Sequence, residues 1–237
     1  MSCAQSFQMR CRIDGAIRVL CPIIEGRISA RKFKHWREID LRRELVGCLM
    51  GSQVRHEMAV TATKNLEQVG LLDDVWWIQD RNDDFGIKVF EVLTGQKEGL
   101  EYPGKYRFPM ARTNQLVQMR NALAKLPLTD RLDGGEIPRR LRKDLVAKIS
   151  GIGPKQASMF LRNIGKSYDL AILDSHVLRF MAIQELLPAG HINIGTFTGY
   201  EKVELAVINY ANSLGYPPGY LDWAIWATMK AAKELGL

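Results

Sequence analysis

Two side chains in this sequence could do chemistry, an amine able to act as a nucleophile and a carboxylate able to face a growing positive charge. Lys155 lies in Gly151-Ile152-Gly153-Pro154-Lys155-Gln156-Ala157, and Asp174 follows nineteen positions later, after Asp169-Leu170-Ala171-Ile172-Leu173. Pro154 marks a helix start and puts Lys155 in the first turn. The positive end of that helix opposes an ammonium, and with desolvation it favours the neutral, nucleophilic amine. A solvated lysine at the same place would instead act as a fixed cation for a phosphate. An apolar run leads into Asp174, and helical spacing resumes at Val177, Leu178 and Met181. That places Asp174 at a helix N-cap. Capping alone accounts for an aspartate there, yet a carboxylate aimed by its cap can also face a cationic transition state. His176, one turn into the helix beside an aspartate, is read as structural.

The lysine's helix is the second of a pair. Leu141, Leu145, Val146 and Ile149 trace the apolar stripe of the first, which begins near Pro138. Gly151 and Gly153 between the two permit positive φ and close backbone approach. Ile152 can plug the space between the helices. The N–H groups at the start of the second helix make a seat for a phosphate, so Gly151, Ile152, Gly153 and Gln156 are the expected binding residues of this turn. A ligand-free helical hairpin is the plainer reading of a glycine pair taken alone. The proline at the helix start and Ala157 at the close helix contact weigh against it.

These groups must be held by a mainly α fold. Helical periodicity runs through Leu45, Val46, Leu49 and Met50 to a stop at Gly51, through 55–69, through 84–93, and through Leu116 to Ala124. After the hairpin it resumes over 174–184, 200–214 and 218–235, with Pro218 in a first turn. Residues 99–110 read as a loop, and polar 128–136 as the link between two halves. The expected architecture is two helical lobes with a groove between them. Residues 1–40 form an N-terminal arm or short strands, suggested by Ile13, Ile17, Val19, Ile23 and Ile24. Residues 41–135 form the first lobe, and 136–237 the hairpin lobe with the C-terminal helices.

Composition bounds the partners. The 33 Lys and Arg against 26 Asp and Glu leave a net charge of +7, which favours polyanions through counterion release. With 46% hydrophobic residues a sizeable core is possible, and no uninterrupted apolar window approaches the ~18 residues of a membrane span. The N-terminus lacks the basic-then-apolar order of a secretory signal. A soluble intracellular protein without a membrane partner is expected, cytoplasmic (nucleoid-associated) or nuclear according to its source, and a monomer. The four cysteines, Cys3, Cys11, Cys21 and Cys48, form no Cys-x-x-Cys pair and leave the last third without any. A cysteine-ligated iron–sulfur cluster is excluded there.

The run from Ile149 to Arg179 resembles the signature of the helix-hairpin-helix superfamily of DNA glycosylases. Gly151 to Gly165, followed by Asp169 to Asp174, is especially similar to the short 8-oxoguanine DNA glycosylase/lyases. Leu45 to Gln53, Tyr106-Arg107-Phe108-Pro109 and Leu221-Asp222-Trp223-Ala224-Ile225-Trp226 extend the likeness from about Asp40 to the end. The resemblance implies that Lys155 is the nucleophile, that Asp174 is its partner, and that Gln53 fills the space left by an extruded nucleotide. It implies double-stranded DNA with a damaged base as partner and no required cofactor, with a monovalent cation on backbone carbonyls of the hairpin. Trp223 and Trp226 are candidates to stack on the flipped base, although tryptophans on an amphipathic helix are commonly core. Some members of that family also read the base with a terminal lysine, whereas this sequence closes on Glu234-Leu235-Gly236-Leu237. Removal of 8-oxoguanine with strand cleavage is the leading expectation. A glycosylase of the same fold for another base is the alternative, and a non-catalytic helix-hairpin-helix module the third. Such a module would need neither the amine at 155 nor the carboxylate at 174.

Overall fold

The computed structural model describes residues 3–28, 36–78, 82–102, 104–133, 135, 137–190 and 192–234, and no strand occurs among them. Pro103 and the terminal residues 235–237, on which the sequence reading touched, lie outside that set. Helix α1 (Cys3–Ile28) opens the chain. It is followed by α2 (Glu38–Met50), α3 (His56–Gln68), α4 (Asp74–Ile78), α5 (Asn82–Thr94), α6 (Pro109–Lys125), α7 (Leu128–Asp133), α8 (Pro138–Lys148) and α9 (Pro154–Asn163). The last three are α10 (Ser175–Ile183), α11 (Phe197–Leu214) and α12 (Pro218–Glu234). Prolines open α6, α8, α9 and α12, where a missing N–H costs nothing.

The chain divides into two compact units, one of residues 1–34 with 165–237 and the other of residues 35–164. This differs from the expected division at about residue 135. The hairpin α8–α9 belongs with the preceding helices, because α9 packs on α2 and Asn163 Nδ2 donates to Glu44 Oε1 at 2.7 Å. In that unit Leu45, Leu49 and Leu66 are fully buried. The polar 128–136 segment, expected as a link, contains α7. Glu38 explains it: its carboxylate accepts from the N–H groups of Leu128 at 3.1 Å and Thr129 at 2.9 Å. A side chain ninety positions upstream thus supplies what the local sequence lacks for a helix N-terminus.

The other unit is built on α12, against which α1, α10 and α11 pack. Here the expected arm or short strands are corrected to one 26-residue helix. The β-branched residues suggested strands, but Ile13, Ile17 and Cys21 recur every four positions and are buried, while Val19 and Ile23 face out. Packing selected the helical period over local propensity. Polar contacts fix the helix as well. Arg18 donates to Asp14 at 2.7 Å, Tyr210 donates to the same carboxylate, and Gln184 Nε2 donates to the Arg10 carbonyl at 3.1 Å. Phe180, Val207, Ala211, Leu221 and Ile225 complete this core.

Candidate functional site

Lys155 stands at a tight helical hairpin. Its two helices are closely joined: Ala157, Phe160 and Leu161 of α9 and Leu141 and Leu145 of α8 are buried. Arg142 Nη1 of α8 donates to Ser158 Oγ of α9 at 3.2 Å, wholly inside the protein. The helix α8 is closed by its C-cap Ile149, and the turn requires glycine at 151 on two counts. Its φ is +79°, and an added methyl group would stand 2.6 Å from Leu49 Cδ1 and 2.7 Å from Gln115 Cδ. Ile152 is buried, as its predicted plug role requires. Gly153 is the N-cap of α9 in extended backbone, with no side-chain cap. Lys155 follows in the first turn and is half-buried. Gln156 is buried, with Oε1 turned back to within 3.1 Å of where a Gly153 side chain would begin. Residues 146–153 and Gln118 line an open hollow of about 480 Å³ at this turn.

The same unit holds Gln53. It is exposed, and its φ of 62° puts a non-glycine residue in the left-handed region. That strained tip is braced from beneath. Tyr106 Oη donates to the Met50 carbonyl at 2.7 Å, and Arg112 Nη2 donates to the Ser52 carbonyl at 2.7 Å. Burial lifts the Tyr106 phenol above its ordinary range, and the Arg112 guanidinium beside it pulls the other way. Opposite the lysine's helix, Cys48 on α2 is pushed well above the ordinary thiol value by burial, with the Glu44 carboxylate adding to it. The cations of Arg162 and Lys155 act in the opposite direction.

Asp174 lies in the other unit. Asp174 is the N-cap of α10, in extended backbone, and its Oδ1 accepts from the Val177 N–H at 2.8 Å. Among the described residues no hydrogen bond engages Oδ2. The extended segment before it is held from α11. Tyr200 Oη donates to the Ala171 carbonyl at 2.9 Å and accepts from the Leu173 N–H at 3.1 Å, while the buried Glu204 accepts from the Ala171 N–H at 3.0 Å. His176 meets the ring of Trp226 edge-on at 6.2 Å, and Lys230 lies over that ring at 5.1 Å. Trp223 and Trp226 are both half-buried on α12.

The structure thus gathers Gly151, Ile152, Gly153, Lys155 and Gln156 at one turn and braces Gln53 within the same unit. It places Asp174, Trp223 and Trp226 in the second unit. Arg112, Gln115, Tyr200 and Glu204 were not singled out from the sequence. The available signal was a charge on a buried stripe: Arg112 precedes Leu116, Met119 and Leu123, and Glu204 sits among Tyr200, Val203 and Val207. Among the described residues no group of three or more His, Cys, Asp or Glu side chains could hold a metal ion. None of the described helices is long and apolar enough to cross a membrane.

Two helices joined through Gly-Ile-Gly, with an uncapped N-terminus offered at the turn, define a helix-hairpin-helix protein. Residues 89–216 match the family model described as 8-oxoguanine DNA glycosylase. The chain is 36% identical over 202 residues to the 8-oxoguanine DNA glycosylase/AP lyase of Thermoplasma acidophilum, covering 83% of this chain and 86% of that protein. It is 35% identical over 131 residues to the protein of the same description from Metallosphaera sedula, covering 54% of this chain and 61% of that one. The alignment with the Thermotoga petrophila relative likewise spans 58% of its length. In three dimensions the chain is similar to the 8-oxoguanine DNA glycosylase of Thermotoga maritima, with a TM-score of 0.68 at 28% identity, covering 93% of this chain and 95% of that one. The fold is shared with the Methanocaldococcus jannaschii 8-oxoguanine DNA glycosylase, with a TM-score of 0.70 at 22% identity, covering 97% and 96%. The chain belongs to the 8-oxoguanine DNA glycosylase family.

Proposed function

We propose that this protein removes 8-oxoguanine from double-stranded DNA and then cuts the strand, with Lys155 as nucleophile and Asp174 as its carboxylate partner. The observation that carries the reading is Lys155 itself, a half-buried amine in the first turn of α9, directly after a hairpin turn open to a phosphate. A base stacked in a duplex must be extruded before its sugar can be reached. The N–H groups of the Gly151–Gln156 turn grip the backbone, and Gln53 enters the vacated stack. The Lys155 amine, once it has shed a proton, attacks C1′, forming an N–C bond as the bond to the base breaks and the base leaves with that electron pair. Ring opening gives a Schiff base, and loss of a C2′ proton expels the 3′ phosphate by β-elimination. Asp174 accepts the proton that the lysine sheds and faces the positive charge growing at the sugar, using the oxygen that the cap leaves over.

Trp226, with Trp223 beside it on α12, is the candidate surface for the extruded base. The concave turn of residues 149–153 suits a monovalent cation held by backbone carbonyls, which would stiffen the phosphate seat and take no part in the bond changes. The enzyme would act as a monomer on nuclear or nucleoid DNA.

Borohydride trapping tests the reading. Incubation with an 8-oxoguanine duplex and borohydride should give a covalent protein–DNA adduct. Lys155→Gln should abolish it and slow excision on the order of 10³-fold or more, while still binding the duplex. A wild-type protein that binds the duplex yet yields neither adduct nor free base would leave only a non-catalytic binding module. Parallel duplexes with uracil, thymine glycol and oxidised adenine identify the base, and a faster reaction with any of them would reassign the substrate.

A further inference from the structure

Arg112 touches both working parts of the hairpin unit without belonging to either. It is 6% exposed, and among the described residues it makes no salt bridge. Its guanidinium is instead spread over neutral acceptors. Nη2 donates to the Ser52 carbonyl at 2.7 Å, one residue before the strained Gln53, and Nη1 donates to Gln115 Oε1 at 2.5 Å. The amide of Gln115 in turn lies where a side chain at Gly151 would be, its Cδ 2.7 Å from that point. One fork therefore joins the Gln53 tip to the hairpin turn through a single intervening amide. A buried cation without an anionic partner is costly, and its retention calls for a reason other than stability. A guanidinium suits this task because its donors are fixed in one plane, so two acceptors bonded to it are held in register.

We propose that Arg112 is a positioning residue that clasps the Gln53 tip to the Gly151 turn, so that filling the opened stack and gripping the backbone happen as one rigid act. The proposal rests on the glycosylase reading above, in which Gln53 enters the duplex. The clasp matters when a base must be extruded and held out; it has no bearing on the amine chemistry once no stack has to be opened.

The test compares two substrates. Single-turnover excision is measured on an 8-oxoguanine duplex, and β-elimination on a single-stranded oligonucleotide carrying a preformed abasic site. A 2-aminopurine next to the lesion reports extrusion in the duplex. Arg112→Met and Arg112→Lys should lose about 10- to 100-fold on the duplex and less than about 3-fold on the single strand. Gln115→Leu, which keeps the Ser52 bond, should lose less than either on the duplex and spare the single strand. The 2-aminopurine signal should fall in the same order. Equal losses on both substrates with an unchanged 2-aminopurine signal would make Arg112 a structural residue only, and no loss in any variant would likewise overturn the clasp. If Arg112→Met does not fold, Arg112→Lys and Gln115→Leu carry the comparison. A Gln53→Ala enzyme with undiminished extrusion would remove the element being clasped. A wild type inactive on both substrates would defeat the proposed function itself, a result distinct from all of these.

Discussion

The helices α9 and α10 begin in opposite ways. Both start from extended backbone, at Gly153 and at Asp174. At α10 the cap residue satisfies its own helix, because the Asp174 carboxylate accepts from Val177 at 2.8 Å. At α9 the cap residue is glycine, which offers no capping oxygen of its own, and a lysine stands in the first turn. A helix gains from a capping oxygen and loses from a lysine at its positive end, so the second arrangement gives up stability that the first secures. The difference fits a division of labour. An end left open can receive a phosphate, whereas an end closed by its own carboxylate fixes the direction of that carboxylate.

The largest expected effect comes from separating charge from cap at Asp174. Asn at this position still accepts from Val177, whereas Ala cannot. Asp174→Asn should therefore keep stability close to wild type yet, if the proposed role holds, lose about 10²- to 10³-fold in single-turnover excision as the carboxylate charge is removed. Asp174→Ala should show a similar kinetic loss plus about 1 kcal/mol of destabilisation in urea unfolding. Activity retained in Asp174→Asn would reduce this residue to a cap.

The converse change makes α9 resemble α10. The backbone of Gly153 is extended, so any residue can adopt it, and the nearest obstacle is the flexible end of Gln156. Gly153→Asp would lay a carboxylate over the open N–H groups. Stability should rise by a few tenths of a kcal/mol. Duplex affinity should fall by roughly 10-fold, with a shallower dependence on salt, because one phosphate contact is replaced by an internal anion. Unchanged affinity in a fluorescence-anisotropy titration would mean that the turn is not where the phosphate sits.

What the sequence revealed follows the same line between local and distant causes. The hairpin was legible because glycine, proline and lysine act within a few residues of one another, and the cap at Asp174 for the same reason. The character of α1 was not, since Ile13, Ile17 and Cys21 become a buried stripe only against α12, whose residues lie some two hundred positions away. Nor was α7, which depends on Glu38, or the unit boundary, which depends on α9 packing against α2. At the site, Gln53 came from the resemblance of the run Leu45 to Gln53, while its left-handed backbone and the Arg112 clasp exist only in three dimensions. A single buried arginine on an otherwise apolar helix face is the sort of local contradiction that sequence reading can flag without explaining.

The smallest effect probes the interiors behind the two helix starts. Cys21 lies in the core that carries α10, and Cys48 against the helix that carries Lys155. Burial raises the Cys21 thiol from its ordinary 9.0 to about 11, opposed by the charge of Arg18. Burial raises Cys48 well above the same starting value, and Glu44 adds to it despite Arg162 and Lys155. A thiol whose folded value is raised favours the folded state fully below pH 9, and that contribution disappears as pH climbs through the folded value. Both interiors should therefore lose this support on the alkaline side, that of Cys21 as pH climbs from 9 through about 11. Brief alkylation across this range, with the labelled cysteines located by mass spectrometry, gives the order of exposure. Exposed Cys11 should react at every pH, and buried Cys21 and Cys48 only above about pH 9, as the cores around them open. Labelling of Cys48 before Cys21 would mean that the core behind the open helix end is the weaker of the two, and that leaving α9 uncapped costs the protein more than one helix terminus.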